Sequence, residues 1–185
     1  EASSLLDPKQ VKSWRDSGPK IALPDARGRL FPLKPLTEDS LPSDSVEQVI
    51  QRRGSSRKFA RQSISFAQLS TLLDHATRGA PADFLKKSGN FLNELYLIVH
   101  SVEGLPPGAY FFHREKKQLE LLKEGDFRDR AGYLGLEQEL PADASVDFFF
   151  LADLPKIVGA FGNRGYRATQ LEAGIVGGKM YLAAY

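Results

Sequence analysis

Gln51-Arg52-Arg53-Gly54-Ser55-Ser56-Arg57-Lys58-Phe59-Ala60-Arg61 is the stretch from which the rest of the chain can be read. Arg52, Arg53, Arg57, Lys58 and Arg61 crowd around one glycine and two serines, with no acidic residue among them. Planar guanidinium forks, short hydroxyl donors and freed backbone N–H groups within a few residues suit a phosphate monoester. Upstream, Val46, Val49 and Ile50 fall on one face of a short helical pattern, so Arg53, four residues after Val49, is expected to be pinned at the helix end. Gly54 is expected to turn the chain with positive φ. Two plainer readings stay open at this point: a solvated basic face, and an Arg-Arg-Gly-Ser kinase substrate in an exposed loop.

Composition narrows the classes. The 185 residues suit one domain, and 42% hydrophobic with 10% aromatic content describes a globular chain. A net charge of +2 is too small to argue for nucleic acid, because outside the opening stretch the basic residues are interleaved with acids. The absence of cysteine removes disulfides and thiolate chemistry and fits a cytoplasmic protein. No apolar run reaches membrane-spanning length, so no membrane association is expected. His75, His100 and His113 lack ligand spacing, and no metal site is expected.

Outward from the basic turn, the elements alternate without regular βαβ order. Six of the eleven prolines lie in residues 1–42, read as an extended arm with one short helix near Gln10 to Arg15. Asp44-Ser45-Val46-Glu47 predicts a helix start, with the helix running to about Arg52, and Ser65-Phe66-Ala67-Gln68 predicts a second capping box. The second helix carries Leu69, Leu72, Leu73 and Ala76 as a stripe. A long polar loop spans 79–91. Strands are expected over Glu94 to Val102, then as a hairpin of Ala109 to His113 and Gln118 to Lys123. A short helix is expected from Asp126 to Gly135. Ser145 to Ala152, with Phe148, Phe149 and Phe150 in succession, predicts a central strand buried on both faces. The class is therefore α+β with a mainly antiparallel sheet flanked by helices.

Near the C-terminus, a short helix over Leu154 to Phe161 is broken by Gly162-Asn163-Arg164-Gly165, and a long helix follows from Tyr166. On it Gly174, Gly177, Gly178 and Tyr181 share one face, which costs about 1 kcal/mol per glycine relative to alanine. Close approach of another backbone or a flat cofactor would offset that cost, and so would tight packing within the chain. Gly178-Lys179 does not make a nucleoside triphosphate loop, because Met180 replaces the required Ser or Thr and no strand leads in. No GxGxxG is present, and no GxSxG elbow supports a serine triad.

The order of these parts resembles the nitroreductase-like flavoproteins: helix, then Arg52 to Phe59, then the Ser65-capped helix with Leu72-Leu73, then Asn93-Glu94-Leu95-Tyr96-Leu97-Ile98-Val99. The likeness is closer to their SagB-type dehydrogenase branch, which oxidises peptide azolines. It rests on Val102-Glu103-Gly104-Leu105-Pro106-Pro107-Gly108-Ala109-Tyr110, on Arg164-Gly165-Tyr166-Arg167, and on Leu171-Glu172-Ala173-Gly174 with Tyr181-Leu182-Ala183-Ala184. The resemblance runs from about Pro24 to the end. It implies a nitroreductase-like domain over 43–185, incomplete at its C-terminus, behind the arm of residues 1–42.

It also implies FMN, with Arg53, Ser55 and Arg57 on the phosphate, Arg52 nearby and Asn90 beside the ring. The implied partners are a small-molecule or peptide substrate and a second nitroreductase-like copy, in a homodimer or pseudo-dimer. No catalytic residue carries over. Lys86-Lys87 stands at the usual Pro-Ser edge, Ala160-Phe161 where azoline-oxidising members carry Lys-Tyr, and Lys179 where Asn is common. These departures leave two expectations: an FMN-binding oxidoreductase, or a catalytically degenerate half that serves dimerisation or substrate docking.

Overall fold

The computed structural model describes residues 7–18, 25–79, 82 and 91–185. Asn90 and Lys86-Lys87 lie outside the described residues. The chain forms helix α1 (Pro8–Asp16), strand β1 (Arg29–Pro32), α2 (Val46–Arg52), β2 (Ile64–Ser65), α3 (Phe66–Ala76), β3 (Glu94–Val99), β4 (Val102–Glu103), β5 (Gly108–His113) and β6 (Gln118–Glu124). It continues with α4 (Arg128–Leu134), α5 (Glu139–Asp143), β7 (Val146–Leu151), α6 (Leu154–Phe161) and α7 (Asn163–Ala183). Among the described residues the main sheet is antiparallel throughout, in the order β1-β6-β5-β3-β7, and β2 pairs β4 in a separate parallel ribbon. The fold is thus α+β with a mainly antiparallel sheet.

Local chemistry sets the boundaries. Ser65 caps α3 reciprocally with Gln68, as its sequence predicts. The cap of α2 is Ser45 with Gln48, one residue later than the quartet read from the sequence. Gly162, at φ +62°, ends α6 and starts α7, so the long helix begins three residues before the expected Tyr166. The hairpin of β5 and β6 forms where the alternating pattern puts it. Strand β3 ends at Val99 because the His100 and Ser101 N–H groups both turn to the Ser145 carbonyl, at 2.9 and 3.1 Å.

One face of the sheet holds the main core. Leu69 and Leu73 of α3, Leu95, Leu97 and Val99 of β3, Tyr110 and Phe112 of β5, Leu119 of β6, and Val176 and Met180 of α7 pack together. The arm is tied to this body: its Leu36 N–H donates to Thr71 Oγ1 at 2.8 Å, and β1 pairs with β6. A smaller cluster joins Ile157 and Phe161 of α6 to Ala168 of α7 and to Leu92.

The expected place of one strand needs correction. Among the described residues the Phe148–Phe150 strand is at the edge of the sheet, paired with β3 alone, and these phenylalanines are half-buried. A continuous apolar run shows that a strand can be buried, but long-range pairing decides its place, and β3 took the inner position between β5 and β7. On α2 the apolar residues that share a face are largely exposed, Val46 at 58% and Ile50 at 50%.

Candidate functional site

The basic turn leaves α2 directly. The Arg53 N–H closes the helix on the Val49 carbonyl at 2.9 Å, which pins it at the helix end as its spacing predicts. Gly54 does not take positive φ; that conformation falls on Arg61, at φ +54°. Two tyrosines of the α7 end meet Gly54 instead. The hydroxyls of Tyr181 and Tyr185 both donate to its carbonyl, Tyr185 at 2.7 Å, and the Gly54 N–H reaches the Tyr185 oxygen at 3.2 Å. The Arg53 guanidinium lies over the Tyr181 ring, 4.9 Å from its centroid. A hydrogen bond from Ser55, together with the nearby Arg53 guanidinium, holds the Tyr181 phenol below its ordinary range.

The structure therefore brings Arg53 and Ser55 to one tyrosine. Arg52 is directed elsewhere, to Asp44 Oδ2 at 3.0 Å and to the Tyr185 carbonyl at 2.5 Å. Arg57 is exposed, with no partner among the described residues. Sequence reasoning missed Tyr181 and Tyr185 as partners of this turn, because nothing local relates residues more than a hundred positions apart. The donor set of Arg53, Ser55, Arg57 and Lys58, with no carboxylate bonded to it among the described residues, fits a phosphate group.

From Tyr181 the glycine face of α7 leads away from the turn. An added Cβ at Gly174, Gly177 or Gly178 would meet nothing within 4 Å. Tight packing within the chain, one of the two readings of this face, is therefore not its use among the described residues. At the other end of α7, Phe161 is buried against Trp14, with ring centroids 4.6 Å apart, and its carbonyl accepts the indole N–H at 2.9 Å. Its ring is a core element.

Between these ends lies a buried carboxylate that sequence reasoning did not single out. Glu172 Oε2 accepts from the Leu92 N–H, the Asn93 N–H and Asn93 Nδ2, each at 2.8 Å, fixing the start of β3 to α7. Its Oε1 is buried without a partner. Arg114 lies nearby, stacked on Phe91 at 4.1 Å and donating to the Asn93 carbonyl at 2.9 Å. Burial raises the Glu172 carboxyl, outweighing the Asn93 bonds and the Arg114 charge. A signal did exist: Ala168, Glu172, Val176 and Met180 recur every fourth residue, which puts the acid on the buried stripe.

The α+β fold thus sets a basic, hydroxyl-bearing turn beside an open helix face. Residues 50–185 match the Nitroreductase family, and the chain belongs to that family. A protein of Methanocaldococcus jannaschii described as a candidate nitroreductase is 24% identical over 144 residues, covering 75% of this chain and 72% of that one. Among solved structures, a candidate nitroreductase of Anabaena variabilis superposes with TM-score 0.67 at 29% identity, over 75% of this chain and 30% of the other. This chain thus spans less than a third of that relative's length. A candidate nitroreductase of Ralstonia eutropha gives TM-score 0.61 at 21% identity, over 90% and 78%. The Escherichia coli microcin synthetase complex McbBCD, with truncated pro-MccB17 bound, gives 0.52 at 16% identity, over 100% and 69%; these last two likenesses concern the fold. Among the described residues no helix is long and apolar enough to cross a membrane.

Proposed function

We propose that this chain is an FMN-binding oxidoreductase unit of the SagB-type dehydrogenase branch. The carrying observation is the turn at the end of α2, where Arg53 and Ser55 converge on Tyr181 and Arg57 stands open to solvent. In this reading Arg53, Ser55 and Arg57 hold the FMN phosphate and Arg52 braces the turn through Asp44. Asn90 is assigned to the ring edge by resemblance. The bound flavin supplies hydride transfer, and the protein's part is to bind, orient and shield it. The open glycine face of α7 supports close approach of a second nitroreductase-like copy, as a homodimer or pseudo-dimer, and the substrate is a small organic molecule or peptide.

Saturating FMN tests this directly. Binding at a hundredfold excess over Kd raises stability by about 2.7 kcal/mol, and the complex shows a flavin spectrum. A chain whose melting temperature ignores FMN rules the reading out. Arg57→Ala weakens FMN by about tenfold or more, the worth of one charge-assisted contact.

A specific observation favours a second reading, a degenerate half used for dimerisation or docking. Phe161 is committed to Trp14 and the core, at the position where azoline oxidisers carry a tyrosine able to exchange a proton. Turnover of an azoline or nitroaromatic substrate by the purified chain with FMN would exclude this reading.

A further inference from the structure

A second site lies behind the basic turn. A half-open cavity of about 350 Å³ is lined by Leu41, Pro42, Val46 and Val49 and by Leu182 and Ala183 of α7. That volume is within the range of about 300–1,000 Å³ typical of small-molecule sites. Helix α2 has seven residues and no buried side chain, yet isolated helices below about 12–15 residues are marginal in water. Its Val46 and Val49 line the cavity.

The charges around this space are unequal. Its one acid, Asp44, is already paired with Arg52 at 3.0 Å. Lys179 lines the same cavity and donates to the Gly79 carbonyl, with no carboxylate in ion-pair range among the described residues. His75, also in the lining, has no hydrogen-bond partner among them and can donate an N–H in either tautomer. A cation on a largely apolar wall, with a spare donor in the same lining, complements an anion that carries an apolar body.

We propose that this cavity binds a small amphipathic carboxylate, its apolar body against Val46, Val49 and Leu182 and its carboxylate at Lys179 and His75. Occupancy completes the packing of α2 and so steadies the helix that Arg53 terminates. The site is separate from the phosphate grip, since Ser55 and Arg57 are not part of its lining.

Titration calorimetry of the 185-residue chain with octanoate, octanol and octylammonium, without FMN, tests this independently of the flavin reading. Octanoate is expected to bind saturably at one site and octylammonium at least about tenfold more weakly, because only the carboxylate gains a charge-assisted bond. Lys179→Met is expected to lower octanoate affinity by a similar factor and leave octanol unchanged. Absence of saturable octanoate binding, or equal binding of the ammonium, overturns the proposal. An Lys179→Met variant that folds and binds octanoate as well as the parent chain overturns it too. If that variant does not fold, the three-ligand series on the unsubstituted chain decides. A dimer that covers α2 and excludes octanoate would assign the cavity to a second copy instead.

Discussion

Two buried glutamates, one on β6 and one on α7, each accept three hydrogen bonds, yet their carboxyls shift in opposite directions. Glu120 on β6 spreads its bonds: Oε1 takes the Arg27 and Gly28 N–H groups, both at 2.7 Å, and Oε2 faces His113 Nε2 at 2.7 Å. Burial pushes this carboxyl up, but the His113 bond and the two backbone donors outweigh burial and hold it below its ordinary 4.5. Glu172 puts all three bonds on Oε2 and leaves Oε1 buried and bare, and burial prevails. The number of donors is therefore less decisive than the balance against burial: the deeper Glu172 is ruled by desolvation, whereas His113 and two backbone N–H groups overcome it at Glu120. The Glu120 region is a finished clamp that holds the arm to the sheet. The Glu172 region joins the start of β3 to α7 with one oxygen unmet.

The largest effect is expected where the clamp is complete. Glu120→Ala strands His113 and two backbone donors, and removing one partner of such a buried pair costs about 3–5 kcal/mol. Urea unfolding measures the loss, and a change below about 1 kcal/mol would show that the clamp contributes little net stability. A smaller loss follows from the other side of the same clamp. An alanine Cβ at Gly28 would lie 2.1 Å from the Leu121 carbonyl oxygen. Gly28→Ala must therefore push the arm off β6, at a cost of about 1–3 kcal/mol, as overpacking does. Because both changes break the same contacts, the double variant should lose less than the sum. Additive losses would mean that Gly28 and Glu120 hold the arm separately.

This contrast also marks how far the sequence could be read. Caps, hairpin and glycine break were legible because their signals lie within a few residues, as with Ser65 and Gln68 or Gly162. Strand β1 was not. Its four residues, ending in Pro32, sit in a proline-rich arm and become a strand through pairing with β6. The edge position of β7 was hidden for a related reason, since three phenylalanines specify burial and not neighbours. At the candidate site, Arg53 was placed correctly at the end of α2. Gly54 was given the wrong role, because its tyrosine partners come from the far end of the chain. The two glutamates show both situations. The fourfold spacing that puts Glu172 on a buried stripe was present but went unused, whereas Glu120 alternates with Leu119 and Leu121 and reads as solvent-facing until the arm is seen to cover it.

The smallest expected effect probes the unmet oxygen. In Glu172→Gln the side-chain carbonyl can keep the three donors of Leu92 and Asn93 while the buried charge disappears, and with it the partial compensation of Arg114. These changes oppose each other, so stability at neutral pH should move by about 1 kcal/mol or less, within the range for isosteric swaps of a buried polar group. The pH profile separates the two acids. The folded-state carboxyl of Glu172 is raised, so as pH falls from above that value toward 4.5 the folded chain takes up more protons and gains stability. Glu120 is lowered, so its contribution is intact above 4.5 and is lost as pH falls through its depressed folded value. Glu172→Gln should abolish the gain in mild acid and leave the later loss in place. If urea midpoints across this range show the gain persisting in the variant, another group is responsible for it. If the variant is as damaged as Glu120→Ala, the charge of Glu172 is needed to hold Arg114, and the unmet oxygen is not the feature that separates the two sites.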